Sequence, residues 1–377
     1  MRVALVGSAS FDYCIEFAET ISLSCDVLFI GDERHLAKRQ HVNYNFTIVP
    51  LRWPRHRDFR NPGFLCKAVN IIRRWQPDIV HFLGENNVWL NLALPLLKQT
   101  PIVTTVHDVE FHPGDTESQR IPRFLINSFI RQSDFIVVHG ENSRAAAREK
   151  LPVDPVNLRV FPHIPLSYYR RLTDHKNIRK PNSEHYKILF FGRIFEYKGL
   201  QYLIDAAPFI LEKVPYARFI VAGTGDEKML AELKKLPPET FDIRARFIPN
   251  EEAALLFNEA DLLVLPYIEA SQSGVLMMAT PFELPVVATD VGDLAAVVRE
   301  LKLGLVVPAC DHRALADAIA EIATGPDLKQ EFRRNAISAL RGPLSPAKLA
   351  SKAKEMYKQI SDDFADRRSR PLRCQPA

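Results

Sequence analysis

The sequence has no uninterrupted apolar run long enough to cross a bilayer. It has no Asp-x-Asp pair and no His/Cys cluster, so no bound metal is predicted. Its first strand-like residues run into Gly7 too soon for a signal peptide. The five cysteines are an odd, scattered set without metal-ligand spacing, which indicates reduced thiols. They are Cys14, Cys25, Cys66, Cys310 and Cys374. We therefore expect a cytoplasmic protein.

The composition is that of a soluble globular protein, with 47% apolar and 25% charged residues among 377. This length predicts about two domains. The net charge of +4 is uneven, because the first 180 residues carry 24 Lys and Arg against 18 Asp and Glu. We therefore expect an anionic partner to meet the N-terminal half. No nucleic-acid partner is predicted.

Strand-like and helix-like segments alternate along the whole chain, which predicts an α/β protein with two mainly parallel sheets. We expect two tandem doubly wound Rossmann-like domains that face each other across a cleft. Within this alternation a helix is predicted at 89–98 and a strand at 245–248. The predicted parts are an N-terminal acceptor-side domain at 1–172, a linker at 173–186, a C-terminal domain at 187–345, a helix at 346–365 that packs back across the domain junction, and a disordered tail at 366–377.

A short apolar run at 262–265 is followed by a polar loop and an apolar segment from Val275. This order predicts a buried strand, a loop and a helix that begins near Ser273 and Gly274. Free N–H groups at a helix start attract a phosphate, and the carboxylate of Glu269 in the loop accepts hydrogen bonds from hydroxyls. The loop therefore suits a nucleotide-sugar. Taken alone, it is more simply a solvated loop before a capped helix.

Two cations are expected at the same edge of the second sheet. Arg193 follows the strand predicted at 188–191, and Lys198 precedes a helix that begins at Gly199. Beside the loop of Glu269 they would hold a diphosphate. Alone, such cations are common near helix ends and most bind nothing. The Gly-x-Gly at Gly223 and the turn at 247–249 also follow strands and are weak signals by themselves.

Together, in this order, the segments resemble glycosyltransferase family 4. They are Phe191-Gly192-Arg193, Lys198-Gly199-Leu200, Val221 to Gly225, Phe247-Ile248-Pro249, Ala260-Asp261, Leu265-Pro266, Glu269 and Pro285 to Thr289. The family consists of retaining, nucleotide-sugar-dependent enzymes of the GT-B fold. The resemblance is strong over 187–307 and looser in the N-terminal half.

The resemblance implies roles for the matching residues. Arg193 and Lys198 would hold the donor diphosphate, and Glu269 would bind sugar hydroxyls. His107, at the end of the strand 102–106, would lie near the anomeric carbon, and these four are the predicted catalytic residues. Without the family, His107 is more simply a structural histidine that closes a strand. The predicted donor-binding residues are Gly7, Ser8, Gly192, Arg193, Lys198, Gly223, Gly225, Phe247, Ile248, Pro249, Glu269, Ser271, Gln272, Ser273, Gly274 and Val275.

The sequence departs from the family pattern at two places. Many members carry a second Glu that seven residues separate from the first, where it holds the ribose, and this chain has Met277 there. The glycine-rich loop after the first strand is reduced to Gly7-Ser8. The loop Glu-Ala-Ser-Gln-Ser-Gly resembles a known variant of the family loop, so the missing Glu is compatible with activity. What the departure affects is the recognition of the ribose. The acceptor-side candidates are Asp108, His112 and His139.

The segment 52–60 packs four arginines, a Trp and a Phe into nine residues. Its proline, Pro54, disfavours a helix, so an exposed loop is predicted. Arginines pair with phosphates, and aromatic rings settle at a membrane–water boundary. We expect either peripheral contact with an anionic inner membrane face or a soluble loop that packs its Trp on the domain. The residues concerned are Arg52, Trp53, Arg55, Arg57 and Arg60.

The sequence thus predicts a retaining, metal-independent hexosyltransferase without a cofactor, with a nucleotide-sugar as donor substrate. The acceptor would be a hydroxyl of a saccharide or a lipid-linked saccharide, as in polysaccharide biosynthesis. Two alternatives remain open. A nucleotide-sugar 2-epimerase of the same fold would isomerise its sugar without an acceptor. A catalytically inactive sugar-nucleotide-binding protein would bind the donor without turnover.

Overall fold

A computed structural model describes residues 1–7, 10–39, 43–55, 58–84, 88–110, 121–175 and 184–369. Backbone contacts divide the chain into two compact units. The first unit is drawn from Met1–Val109, Gln119–Pro162 and Pro346–Ala377. The second is drawn from Glu110–Ser118 and His163–Ser345. The chain therefore forms the second unit before it returns to the first.

The first unit contains a seven-stranded sheet in the order β3-β2-β1-β4-β5-β6-β7, with every pair parallel. The central strands β4 and β5 are buried along their whole length, as in a sheet that is covered on both faces. The strands are β1 (Arg2–Val6), β2 (Asp26–Asp32), β3 (Thr47–Leu51), β4 (Ile79–Phe82), β5 (Ile102–Thr105), β6 (Phe135–Val138) and β7 (Leu158–Val160).

Helices connect these strands and cover the sheet. They are α1 (Phe11–Ile21), α2 (Glu33–Leu36), α3 (Asn61–Trp75), α4 (Leu94–Leu97), α5 (Arg123–Gln132) and α6 (Glu141–Lys150). The last helix of the described chain, which we number α15 (Pro346–Ser369), also belongs to this unit and packs on α1. Its apolar stripe of buried residues, including Leu349, Ala353, Tyr357 and Ile360, recurs at helical spacing.

The second unit contains a six-stranded parallel sheet in the order β10-β9-β8-β11-β12-β13. The strands are β8 (Tyr186–Phe191), β9 (Ala217–Gly223), β10 (Phe241–Ala245), β11 (Leu262–Leu265), β12 (Val286–Thr289) and β13 (Gly304–Val307). The helices are α7 (Tyr168–His175), α8 (Leu200–Lys213), α9 (Glu227–Leu233), α10 (Asn250–Glu259), α11 (Gly274–Ala279), α12 (Gly292–Glu300), α13 (His312–Thr324) and α14 (Pro326–Arg341).

Each unit has its own apolar core. In the second unit, Phe190, Phe219 and Ile319 are buried between the sheet and its helices. In the first, Phe82 and Phe129 meet edge to face at 5.4 Å between ring centroids. Each such ring contributes about 1.5–3 kcal/mol through burial, so the sheets are rigid supports for the loops at their ends.

Four sequence-based element predictions were wrong in part. The helix predicted at 89–98 is a 3-10 helix (Val88–Leu92) followed by the single turn of α4, because Pro95 cannot donate a backbone hydrogen bond. The strand predicted at 245–248 lies at Phe241–Ala245, where Phe241 is buried and Ile243 half-buried. The helix α7 extends three residues into the predicted linker. The helix α15 continues to Ser369, into the tail predicted to be disordered.

Candidate functional site

The strand order of the second unit places a binding crevice between β8 and β11. Successive connections run from β8 in one direction to β9 and β10, and in the other direction from β11 to β13. Ligands of doubly wound sheets bind at this reversal, at the carboxyl ends of the strands. Two loops leave the sheet there, one at 192–199 after β8 and the other at 266–273 after β11. They carry Arg193, Lys198 and Glu269, three of the four predicted catalytic residues.

Glycines bring the loops of this edge into backbone contact. Gly199 has φ 64°, and a Cβ added there would lie 1.8 Å from the carbonyl oxygen of Pro266. Gly223 has φ 151°, and its Cβ would lie 1.7 Å from the carbonyl oxygen of Gly192. No other residue fits either position without a backbone shift. Gly199 therefore holds the two loops together, and Gly223 packs the end of β9 against the start of the loop that carries Arg193 and Lys198.

A cluster of five side chains lies where these loops meet, and we call it the Tyr267 cluster. It consists of Arg193, Tyr197, Lys198, Tyr267 and Ser273. The Nζ atom of Lys198 lies 3.7 Å from the centroid of the Tyr267 ring and 4.9 Å from that of Tyr197. The guanidinium of Arg193 donates to the Tyr197 hydroxyl at 3.2 Å. Both cations are half-buried, and aromatic faces hold them in place.

Tyr267 is the centre of this cluster, although it is not among the residues predicted for the site. Its side chain is fully buried, and burial raises its pKa to about 12, against the opposing influence of Ser273 and the positive charge of Arg193. The hydroxyl is therefore neutral and lies 3.3 Å from Ser273 Oγ. The backbone carbonyl of Tyr267 accepts a hydrogen bond from Thr289 at 2.5 Å, which ties the loop to β12.

The first turn of α12 supports the loop at 266–273. The N–H of Asp293 donates to the carbonyl of Ser271 at 2.8 Å, and Gly292 allows the close approach of Ala270. Glu269 lies exposed in this loop, and Gln272 is half-buried. The Oε1 atom of Gln272 is buried and accepts no hydrogen bond from the described residues. A ligand that donates a hydrogen bond would satisfy it.

The start of α11 follows this loop. Ser273 is its N-cap and accepts a hydrogen bond from the Leu276 N–H, so this side chain stabilises the helix. Gly274 and Val275 begin the helix, and His163 Nε2 lies 3.9 Å from where a Gly274 Cβ would be. Met277 is 3% exposed, so the residue that replaces the family's second Glu belongs to the core.

The remaining predicted donor-side residues occupy other strand ends. In the second unit, Gly225 pairs with Ile194, which aligns the loops after β8 and β9. Phe247 is 69% exposed just beyond β10, whereas Ile248 is buried and Pro249 precedes α10. In the first unit, Gly7 lies after β1 and packs against Cys14 and Leu83. Ser8 lies outside the described residues.

In the first unit, His107 and His139 form a contacting pair. Nδ1 of His107 lies 3.2 Å from Nε2 of His139, whose Nδ1 lies 3.0 Å from the carbonyl oxygen of Phe161. Nε2 of His107 lies 3.3 Å from the carbonyl oxygen of Leu83. The edge of Tyr13 meets both rings, at 4.9 and 5.3 Å between centroids. Burial lowers the pKa of His107, and the negative charge of Asp108 opposes this shift.

The other N-terminal predictions are placed as follows. Asp108 is half-buried beside His107, and His112 lies outside the described residues. In the segment 52–60, Trp53 is 7% exposed and packs on Phe64 at 5.1 Å, as expected for the alternative in which the loop packs its Trp on the domain. Arg52 and Arg55 are exposed, Arg60 pairs with Asp58, and Phe59 is 90% exposed. Arg57 lies outside the described residues.

Two other features are absent from the described residues, a metal-binding cluster and a helix that could span a membrane. Within the described ranges, no three His, Cys, Asp or Glu side chains are grouped so that they could hold a metal ion. No helix in the described part of the chain combines the length and apolar character needed to cross a membrane.

Comparisons with known proteins agree with this architecture. The model of "Glycosyltransferase Family 4" matches residues 19–164, and that of "Glycosyl transferases group 1" matches residues 185–324. Together the two models cover every strand of both sheets except β1. The chain belongs to the GT-B glycosyltransferases, and within them to the group defined by these two models. It is an enzyme that transfers glycosyl units.

Individual relatives are distant but extend over most of the chain. A D-inositol 3-phosphate glycosyltransferase of Corynebacterium efficiens is 25% identical over 309 residues, which is 77% of this chain and 73% of the relative. A phosphatidyl-myo-inositol mannosyltransferase of Mycobacterium leprae is 25% identical over 279 residues, 72% of this chain and 71% of the relative. The solved structure of Anabaena HepE in complex with UDP and glucose has a TM-score of 0.68 at 14% identity, and the match covers 95% of this chain and all (100%) of that one.

Proposed function

We propose that this glycosyltransferase takes its sugar from a nucleotide-sugar and transfers it to a hydroxyl group with retention of configuration. One observation carries the proposal: Arg193 and Lys198 converge on Tyr267 at the strand-order reversal of the second sheet. A fixed pair of cations at the carboxyl end of a parallel sheet suits the diphosphate of such a donor. No cofactor or metal is proposed.

The cation pair is preorganised for its ligand. The guanidinium of Arg193 lies 5.6 Å from the Phe195 ring centroid and donates to Tyr197, while Lys198 lies against two phenol rings. Aromatic contacts limit the rotamers of both long side chains, so little conformational entropy is lost when they bind phosphate oxygens. The HepE structure with UDP and glucose, which shares this fold, supports the choice of ligand class.

Neighbouring groups would recognise the rest of the donor. Glu269 would accept hydrogen bonds from sugar hydroxyls, and the buried Oε1 of Gln272 would accept another from the ligand. The exposed ring of Phe247 stands two strands from β8, which is about 10 Å along the sheet edge. That distance suits a base stacked on Phe247 while the diphosphate lies at Arg193.

The chemistry proposed is a same-face substitution. The bond between the anomeric carbon and the diphosphate oxygen breaks, and the acceptor oxygen bonds to that carbon on the same face. The acceptor proton passes to the leaving phosphate oxygen, so no covalent nucleophile is needed. Arg193 and Lys198 would stabilise the charge of the leaving group, and His107 would donate a hydrogen bond close to the reacting carbon.

The donor can be identified by the ligand that stabilises the folded protein. A thermal-shift screen over nucleoside diphosphates and their sugars should give a shift that rises with ligand concentration. Arg193→Ala and Lys198→Ala should each weaken binding of that nucleoside diphosphate about 10- to 100-fold, the loss of one charge-assisted contact. Arg334→Ala and Lys235→Ala, at exposed positions in the same unit, are the matched controls. Parental affinity in both site variants would rule out this diphosphate site.

Transfer should depend on different residues from those that bind the nucleotide. Glu269→Ala and His107→Ala should lose transfer but bind the free nucleoside diphosphate as the parent does, because both are proposed to contact only the sugar. Mass spectrometry of the reaction distinguishes a glycosylated acceptor from an isomerised donor. An isomerised donor without any acceptor product would replace the transferase proposal by the epimerase alternative. Parental transfer rates in either variant would remove that residue from the site.

A saccharide or lipid-linked saccharide is the proposed acceptor class. The relative of Mycobacterium leprae is named for a phosphatidyl-inositol acceptor, which supports an acceptor with a lipid and a phosphate. We also propose peripheral contact of the loop 52–60 with an anionic membrane surface. The exposed groups that carry this proposal are Arg52, Arg55 and Phe59, since Trp53 is buried and Arg60 is paired with Asp58 at 2.5 Å. Arg52 lies 3.9 Å from Glu33, a longer contact between two exposed side chains.

Sedimentation with vesicles tests the membrane proposal. The protein should sediment with anionic vesicles at low salt, and less at high salt, because each basic residue near such a surface contributes about 1 kcal/mol. Replacing Arg52, Arg55 and Phe59 together by Ser should abolish the effect. Neutral vesicles are the control. Absence of sedimentation with anionic vesicles at low salt would contradict the proposal.

A further inference from the structure

The contacts of the His107–His139 pair require more N–H donors than two neutral imidazoles have. Three contacts run in series: Leu83 carbonyl to His107, His107 to His139, and His139 to Phe161 carbonyl. Carbonyl oxygens only accept, so each end of the series requires an N–H from a ring. The middle contact requires one more. Two neutral rings supply two N–H groups, whereas three are needed.

The distances decide where the two protons of the neutral pair lie. His139 Nδ1 is 3.0 Å from the Phe161 carbonyl, and His107 Nε2 is 3.3 Å from the Leu83 carbonyl. The shorter contact is the better hydrogen bond, so His139 carries its proton on Nδ1 and presents a bare Nε2. That bare nitrogen accepts from His107 Nδ1–H at 3.2 Å. His107 is then left with its lone pair on Nε2, beside Leu83.

We propose that His139 is a positioning residue, which holds neutral His107 in the Nδ1–H tautomer and lets the pair take up one shared additional proton at Nε2 of His107. With that proton all three contacts become hydrogen bonds, and Nε2–H becomes a donor that a sugar oxygen would share with the Leu83 carbonyl, whose contact of 3.3 Å is the longest of the three. The consequence for catalysis rests on the proposed function, in which His107 contacts the sugar. His139 itself is 5% exposed and acts through His107 rather than on the substrate.

Groups from each surrounding element act on the charge of the pair. From α1, the ring of Tyr13 contacts both imidazoles, and the thiol of Cys14 lies 3.9 Å from the carbonyl oxygen of Leu83. Burial keeps the phenol and the thiol neutral by raising their pKa values. From β4, His81 is also buried, and burial lowers its pKa. Next to His107 in the chain, Asp108 favours the cation. Burial disfavours the protonated form of the pair, whereas the three hydrogen bonds and the negative charge of Asp108 favour it.

Nitrogen-15 NMR of histidine-labelled full-length protein tests this directly, because the two neutral tautomers of an imidazole have different nitrogen shifts. A His107→Gln variant identifies the signals among the 11 histidines. We expect the Nδ1–H tautomer for His107 in the free parent protein above its pKa. A spectrum that shows the Nε2–H tautomer would overturn the proposal without any need for a variant.

Substitutions at His139 sharpen the test. In His139→Phe the Leu83 carbonyl remains as an acceptor for His107, so the ring should change to the Nε2–H tautomer. In His139→Gln the amide oxygen replaces the lost Nε2 acceptor, so the Nδ1–H tautomer should be kept. Retention of the Nδ1–H tautomer in folded His139→Phe would show that His139 does not fix it.

Activity provides a second and separate readout. His139→Phe should lower kcat by up to about 100-fold, as misplacement of a catalytic group does, with little change in the KM of the donor. The pH profile of kcat should move with the tautomer, and His139→Gln should restore most of the rate. An unchanged kcat and pH profile in folded His139→Phe would overturn the role in catalysis. The tautomer is measured in the free protein, so failure of the proposed reaction would leave that result intact.

Discussion

His81 should make the first unit sensitive to acid. Its side chain is fully buried in β4, with Nδ1 2.7 Å from the Tyr357 hydroxyl and Nε2 2.8 Å from the Thr105 hydroxyl. A neutral ring satisfies both contacts, because one hydroxyl can donate to the unprotonated nitrogen while the other hydroxyl accepts from the ring N–H. Burial, with a smaller contribution from His107, lowers the pKa of His81 to about 3. The folded protein therefore excludes a proton that the unfolded chain accepts.

The size of the effect follows from the two pKa values. A histidine in an unfolded chain has a pKa of about 6.5. Between that value and about 3 the unfolded chain binds one proton more, so the free energy of unfolding falls as the pH falls. The loss is about 1.4 kcal/mol per pH unit, which is about 2 kcal/mol at pH 5. Burial lowers the pKa of His107 as well, so its contribution has the same sign.

Tryptophan fluorescence can follow the first unit alone, because Trp53, Trp75 and Trp89 all lie there. Urea unfolding would be measured from about pH 7.5 to about pH 5 for the parent and for His81→Gln. The variant should be less stable at neutral pH but should lose about 2 kcal/mol less on acidification. The His185→Gln variant, at an exposed histidine, is the control. Parallel pH curves for parent and His81→Gln would refute the reasoning.

Three further substitutions test the packing of the site and the basic loop. Gly199→Ala should lower the free energy of unfolding by about 1–3 kcal/mol and weaken nucleotide binding, since its Cβ meets the Pro266 carbonyl. Met277→Glu, which restores the family residue, should cost about 3 kcal/mol or more, because an unpaired carboxylate would be buried. Trp53→Ala should cost about 3–5 kcal/mol without any change in vesicle binding. Urea unfolding, ligand titration and sedimentation provide the measurements, and near-parental values would contradict each expectation.

The sequence predicted most strands well because parallel strands buried on both faces are continuous apolar runs. The strand β11 has the predicted bounds for this reason. The edge strand β10 was predicted at the wrong residues. Because it is only partly buried, its alternation of Phe241 and Ile243 is a weaker signal than the apolar residues near 245–248. The connection after β4 was misread as one helix because the apolar pattern runs through Pro95. Local composition could not show where the helical backbone hydrogen bonds are interrupted.

The site was predictable as far as chain order determines it. Arg193 and Lys198 follow a strand, and the strand-end rule places them at the crevice. The role of Tyr267 was hidden, because a Tyr after a buried strand reads as one more core residue until Lys198 is seen on its ring. The contact of His107 with His139 was also hidden. It joins residues that are 32 apart in the chain and lie just beyond the ends of the neighbouring strands β5 and β6. Only the folded sheet brings the two rings together.

The return of the chain to the first unit at Pro346 sets an order for folding during synthesis. The helix α15 covers α1, and its Tyr357 reaches His81 in β4. While residues 163–345 leave the ribosome, the second unit gains its whole sheet, but the first still lacks this cover. The half of the protein that is made first is therefore completed last. Until then α1 exposes apolar surface, so the nascent chain should need chaperones chiefly for its amino-terminal half.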